Sequence, residues 1–359
     1  MGKIIYGVSG EGSGHSSRAR VVAAHLERRG HRVTIVSYGR GYRNLHQRFD
    51  VFLTEGLHIS SRDNEVSKSR TLLDNLQRLP QGHRRLNALK EQLFREDPPM
   101  AVITDFEPMT AYLANHFDLP LITIDNQHRL RYMTYPCPAE LKPDQLLTEN
   151  IIRAMVPRPD VSLVTTFYFG EPRNERTFLF PPILRDEVLA LVPKVQDHVL
   201  VYLTSGFGLF VEQLKAFPRE HFIVYGCGAE RVEDNLIFKA PSRNGFLADL
   251  ARCKAVMATA GFTLMTEALH LHKPYLALPM RGQFEQEINA FFLEQSGYGR
   301  NMRRTTREGI GYFFYRLTDY TARLSDYPAS DNTALLDMVD RLLEGNAFLA
   351  HSFHKQRTG

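Results

Sequence analysis

The sequence predicts an α/β protein built from two parallel-sheet halves. Short apolar runs alternate with amphipathic segments of helix length, the βαβα order of a parallel sheet covered by helices. The alternation occurs twice, over residues 1–170 and 185–325, on either side of a stretch rich in proline and charge. A chain of 359 residues, 43% of them hydrophobic, is long enough for two domains of about 150 residues each.

In the first half, "KIIYGV", "HRVTIV", "MAVIT" and "LPLITI" read as buried strands. "SSRARVVAAHLERRG" and "PMTAYLANHFD" are the helices between them, with Ser16 or Ser17 as the cap of the first and Gly30 after its end. Residues 56–100 carry a polar insert. Its "RLPQGHRRLNALKEQLFR" is basic and helical, with Leu86, Leu89 and Leu93 on one side. It reads either as a rim toward an anionic or lipid acceptor or as a solvated helix with one buried face. Strand signals fade after "DVSLVTT", and "FYFGEPRNERTFLFPPILRDE" reads as a linker. The second half resumes with "HVLVYLT", "HFIVYG", "NLIFKA", "AVMAT" and "PYLALP". The tail, residues 330–359, reads as a closing amphipathic helix.

No run approaches the ~18 apolar residues of a membrane helix. The opening "MGKIIYGVSG" reads as a first strand rather than a signal peptide. Cys137, Cys227 and Cys253 are scattered, which points to reduced thiols and a cytoplasmic setting. The net charge of +4 permits anionic partners, and no nucleic-acid motif accompanies it. The basic run "GRNMRRTTR" at 299–307 reads either as weak contact with an anionic membrane surface, hence a peripheral place at its inner face, or as solvated surface.

Gly10, Gly12 and Gly14 alternate after the first strand, and His15 follows. A dinucleotide fingerprint needs its third glycine one position later and an acid after the second strand, and both are missing. No Gly-Lys-Ser/Thr follows, so a phosphate-binding P-loop is excluded as well. What remains is a glycine turn at the carboxyl edge of a sheet, where open α/β sheets bind ligands. Gly12 and Gly14 are candidates for contact with an acceptor. His15 is either a general base there or a residue that caps the helix or satisfies a loop carbonyl. Asp105 ends another strand, so parallel strands can bring it to His15. It would accept the Nδ1 proton, cap the following helix near Pro108, or do both. His128, also just past a strand, is a further candidate for acceptor binding.

The segment "TAGFTLMTEALHLHKPYLALPMRGQFEQEINAFFLEQSGYG", residues 259–299, is the most specific signal. A strand ends and a helix opens at "ATAGFT", which offers N–H groups and a helix dipole to a pyrophosphate, with the Thr263 hydroxyl beside them. Glu267 is either a favourable early-helix charge or an acceptor for ribose hydroxyls. The order Gly261, Glu267, Pro274, Pro279, Glu285-Gln286 and Asn289-Ala290 resembles the donor-nucleotide signature of GT-B glycosyltransferases. Within that superfamily it is similar to the peptidoglycan lipid-intermediate N-acetylglucosaminyltransferase and the UDP-dependent small-molecule enzymes. "GEGSGHSSRAR" and "PPILR" are similar to a little-described bacterial and archaeal branch of that superfamily.

The resemblance implies two Rossmann-like domains facing across a cleft. It implies a nucleotide sugar, of the UDP type, as co-substrate, an acceptor hydroxyl or amine on a small molecule, glycan or lipid carrier, and an inverting transfer with no other cofactor. It places the diphosphate at Thr259, Ala260, Gly261, Phe262 and Thr263, the ribose at Glu267 and the donor sugar at Glu285 and Gln286. By the same resemblance the glycine turn Ser205, Gly206, Phe207 and Gly208 faces the pyrophosphate, and Phe238, Lys239 and Phe246 either surround the base or, where apolar, are core. It makes His15 the base and Asp105 its partner. Thr259 departs from the pattern, since small-molecule members often carry His there. The chain has no Asp-x-Asp motif, in keeping with a metal-independent reaction. The rival readings are a nucleotide-sugar hydrolase or 2-epimerase of the same fold, and a non-catalytic nucleotide-sugar binder.

Overall fold

A computed structural model describes residues 1–56, 61–62, 65–66, 84–203, 208–228, 230–344 and 349–358. The chain divides into two compact units. Met1–Ser60, Ser67–Arg185 and Ser330–Gly359 form the first, and Ser61–Val66 with Asp186–Ala329 the second.

The first unit is built on β1 (Lys3–Val8), β2 (Arg32–Ser37), β3 (Asp50–Leu53), β4 (Ala101–Asp105), β5 (Leu121–Asp125), β6 (Val161–Thr165) and β7 (Thr177–Phe180). They lie in the order 7-6-5-4-1-2-3, all parallel. This is the doubly wound order, and its direction reverses between β1 and β4, the point where such sheets bind ligands. Val8 pairs with Asp105, so these two strands end side by side at that point. Helices cover both faces, which is why the strands read as continuous apolar runs. On one face Val22 and Leu26 of α1 (Gly14–Arg28) pack with Leu335, Val339 and Leu342. On the other, Ala111 and Leu113 of α2 (Pro108–His116) pack with Leu89 and Phe94.

The second unit repeats the plan with β8 (His198–Tyr202), β9 (His221–Tyr225), β10 (Arg231–Glu233), β11 (Leu236–Lys239), β12 (Ala255–Thr259), β13 (Tyr275–Leu278) and β14 (Gly299–Asn301). The order is 10-11-9-8-12-13-14, parallel except for edge strand β10. The reversal falls between β8 and β12. No helix among the described residues is long and apolar enough to cross a membrane.

Several local readings change. The expected linker contains β7, whose apolar "TFLF" adds a parallel strand beside β6. The passage to the second unit is tied down after it: the Asn332 side chain accepts from Leu184 N–H at 2.9 Å and donates to Leu184 C=O at 2.7 Å. The closing helix is two helices, Thr333–Leu343 and Leu349–Thr358. Leu335, Val339 and Leu342 of the first are at most 2% exposed. Each such side chain contributes about 1.5–3 kcal/mol, enough to hold the tail on the first unit. α1 begins at Gly14, with Ser13 at its cap position, and neither Ser16 nor Ser17 caps it. Ser16 Oγ instead donates to Ser13 C=O at 3.0 Å. The described end of the polar insert, from Arg84, buries Leu89 and Phe94, the pattern of a helix with one buried face. Residues 78–83 of that segment lie outside the described residues. The basic run at 299–307 begins as sheet strand β14, because Gly299 fits against β13 where a Cβ would lie 1.9 Å from Tyr275 O.

Candidate functional site

The glycine turn after β1 is shaped by two different demands. A Cβ on Gly10 would lie 2.2 Å from the Tyr38 carbonyl oxygen, so the backbone passes there only without a side chain. Gly12 has φ +77° and open space above it, so the left-handed conformation is what selects glycine. The exposed Gly12 and the opening of α1 at Gly14 leave this edge of the sheet accessible.

His15 sits in the first turn of α1 with its side chain 12% exposed, and Asp105 Oδ1 lies 2.6 Å from its Nδ1. Asp105 does not cap α2. Glu107 does, its carboxylate accepting from Met109 N–H at 2.9 Å and Thr110 N–H at 2.8 Å. Between them Phe106 adopts φ +57°, an unusual conformation for a bulky residue. That turn frees Asp105 to face α1.

Asp105 is fully buried, and Arg18 grips both its oxygens: Nε donates to Oδ2 at 2.8 Å and Nη2 to Oδ1 at 2.7 Å. The third nitrogen, Nη1, donates to Asn126 Oδ1 at 3.2 Å. Burial alone pushes the Asp105 carboxyl up, but the Arg18 guanidinium and the His15 imidazole outweigh it and hold it below the ordinary carboxylate value. An ionised carboxylate only accepts, so Nδ1 of His15 carries the hydrogen, and in the neutral ring the lone pair is on Nε2. Nε2 has no hydrogen-bond partner among the described residues of this unit.

His128 is turned into the unit rather than exposed at its edge. It is fully buried; Asp125 Oδ2 lies 2.6 Å from its Nδ1, and Asp125 Oδ1 accepts its backbone N–H at 2.8 Å. Its ring stacks on Tyr132 at 5.6 Å and meets the edge of Phe106 at 6.4 Å. These contacts hold the turn after β5, while Nε2 of His128 is buried with no hydrogen-bond partner among the described residues.

In the second unit, β12 ends at Thr259 and α3 (Phe262–His270) opens with Gly261 at its cap position. The first helical bond runs from Met265 N–H to Gly261 C=O at 3.2 Å, leaving the Thr263 and Leu264 N–H groups without an intrahelical partner. A Cβ on Gly261 would meet nothing within 4 Å, so the approach is open. The turn is pinned from behind. Tyr275 Oη donates to Thr259 C=O at 2.7 Å, and Asn289 Nδ2 donates to Ala260 C=O at 2.8 Å. Asn289 belongs to α4 (Phe284–Gln295), so the second part of the sequence signature holds the first in place.

The profile of glycosyl transferase family 1 matches residues 2–318. The chain belongs to glycosyl transferase family 1. An uncharacterised glycosyltransferase of Methanosarcina mazei is 25% identical over 334 residues, spanning 85% of this chain and 86% of that protein. Among solved structures, the glycotransferase of kitacinnamycin superposes with a TM-score of 0.68 at 18% identity, over 96% of this chain and 99% of that one. The structure of LpCGTa in complex with UDP superposes with a TM-score of 0.64 at 16% identity, over 96% and 99% of the two chains. The fold of this glycosyltransferase is GT-B, with two Rossmann-like domains.

The other expected donor residues of the glycosyltransferase are distributed unevenly. Ser205, Gly206 and Phe207 lie outside the described residues, while Gly208 opens a helix with open space above it. Glu267 is on the second turn of α3, 2% exposed. Glu285 and Gln286 are half-buried in the first turn of α4. Gln286 braces the preceding turn, its Oε1 accepting from Met280 N–H at 3.1 Å and its Nε2 donating to Gln283 Oε1 at 2.6 Å. Phe238 belongs to the core at 2% exposure, with the Arg231 guanidinium over its ring, so it does not offer a stacking face to a base. Lys239 Nζ is 2.6 Å from Asp249 Oδ2. Phe246 meets the ring edges of Tyr202 and Tyr225 at 5.4 and 5.2 Å. Both tyrosines end their strands, so an aromatic cluster stands at the carboxyl edge of β8 and β9.

Sequence reasoning missed Arg18, Asn126, Glu107 and these two tyrosines. Arg18 had a signal. It stands on the apolar stripe of α1 with Ala19, Val22 and Leu26, a place where an unpaired charge is not tolerated.

Proposed function

We propose that this glycosyltransferase moves a sugar from a nucleoside-diphosphate sugar, of the UDP type, to an acceptor hydroxyl or amine with inversion at the anomeric carbon. The 2.6 Å pairing of His15 with a buried, ionised Asp105 at the reversal point of the first sheet carries the reading. An imidazole whose Nδ1 is committed to a carboxylate presents Nε2 as a base. The acceptor proton passes to Nε2, the acceptor atom bonds to the anomeric carbon, and the bond from that carbon to the diphosphate oxygen breaks. The N–H groups at the start of α3 and its dipole offset charge on the departing diphosphate. Glu267, 2% exposed on the second turn of α3, is assigned the ribose hydroxyls. The nucleotide sugar is a co-substrate, and no metal or other cofactor takes part in these steps.

The test is nucleoside-diphosphate release from a panel of nucleotide sugars with an acceptor library, with product configuration read by NMR. His15→Ala should lower kcat by about 10²–10⁴-fold, with donor affinity by calorimetry nearly unchanged. Undiminished turnover in that variant would remove His15 as the base. Rapid sugar release without any acceptor would make the enzyme a hydrolase.

A further inference from the structure

Asp105 has two clients, not one. In a two-residue arrangement a buried carboxylate beside an imidazole favours the protonated ring, because nothing else balances its charge. Here the balance is already present. Arg18 lies one turn after His15 on α1, is 5% exposed, and holds both carboxylate oxygens in a fork at 2.7 and 2.8 Å. Its Nη2 is also 3.4 Å from Nδ1 of His15. Asn126, just past β5, anchors the far side of the guanidinium.

We propose that Arg18 is a positioning residue for the base: its guanidinium fixes the orientation of Asp105 and balances its charge, so the carboxylate orients the His15 ring without trapping it as imidazolium. This rests on His15 being the base. The fork does the first task, since two parallel N–H···O bonds leave the carboxylate no rotation. The positive charge does the second. The charged and titratable groups around the Asp105–Arg18 pair are His15 from α1, Tyr6 from β1 and Asp125 at the end of β5. Burial beside Asp105 keeps the Tyr6 hydroxyl neutral. Asp125 is committed to His128. Arg18 is thus the cation in direct contact with Asp105, and its two tasks are separable by substitution.

The experiment is the pH profile of kcat for the wild type, Arg18→Lys and Arg18→Gln, with His15→Ala alongside. Arg18→Gln should move the acid limb toward alkaline pH by roughly one unit, since an opposite charge no longer balances Asp105. Arg18→Lys keeps the charge but not the fork, so its acid limb should stay in place while kcat falls by about tenfold. Equal losses at every pH in both variants, with the limb unmoved in Arg18→Gln, would show a merely structural residue and overturn the inference. Should Arg18→Gln not fold, Arg18→Lys decides: wild-type kcat, or a displaced limb, overturns it. Failure of the underlying reading looks different. His15→Ala would then retain activity, or the wild type would show no acid limb.

Discussion

Replacing Asp105 with alanine gives the sharpest test of how the first unit is held together. The carboxylate has no exposure and receives the imidazole at 2.6 Å and two guanidinium bonds at 2.7 and 2.8 Å. Without it Arg18, 5% exposed, keeps Asn126 at 3.2 Å and no counter-charge in direct contact. Breaking a buried ion pair from one side costs about 3–5 kcal/mol, because it strands the remaining charge. In a domain of roughly 200 residues each kcal/mol moves the melting temperature by about 2–4 °C, so Tm should fall by about 6–20 °C. Calorimetry and urea unfolding both read this. The double variant Asp105→Ala with Arg18→Met removes both charges and should recover to within about 2 kcal/mol of the wild type. A loss below about 1 kcal/mol in the single variant would mean the pair behaves like one at the surface, and the reasoning would fail. So would a double variant whose loss equals the sum of the two singles, because contacting groups should couple.

Gly261→Ala should leave stability unchanged or raise it by about 0.4–1 kcal/mol, since φ is −67° and the added methyl meets nothing. The same methyl at the mouth of α3 should weaken UDP binding at least about tenfold by calorimetry, and unaltered affinity would move the diphosphate elsewhere. Acid titration has a definite sign. Asp105 is held below its ordinary value of 3.8, so its contribution is complete above that pH and is lost as pH falls through the lowered value. Asp105→Asn should therefore show a shallower loss of stability below about pH 4, measured by urea melts across pH. Glu107→Ala removes the carboxylate that accepts from the Met109 and Thr110 N–H groups at the start of α2 and should cost about 0.5–2 kcal/mol. Wild-type stability in that variant would mean the cap is not needed.

The fold was legible because its evidence is local. A strand buried on both faces must be an uninterrupted apolar run, and a covering helix must repeat every three or four residues. "KIIYGV" and "SSRARVVAAHLERRG" declare themselves without any partner. The start of α3 was legible for the same reason, since Gly261 and the helix after it are neighbours in sequence. The meeting of His15 with Asp105 could be anticipated as far as topology goes, because parallel strands deliver their ends to one edge. Edge features misled the reading. β7 sits in a polar, proline-rich context that looks like a linker, and its strand character depends on β6 being alongside.

The amino-acid order by itself determined the two α/β halves, the glycine turn and the helix start that can receive a diphosphate. These follow from period, turn chemistry and helix capping, which act over a few residues. Only the tertiary structure decided which charges meet: that Asp105 is shared between His15 and Arg18, that Glu107 takes over the cap, that His128 turns inward to Asp125, and that Phe238 is core. Those outcomes depend on strand order and on which face of each strand a side chain takes. Pairing energies in a buried, low-dielectric place are set by distances of a few ångströms between residues far apart in the chain.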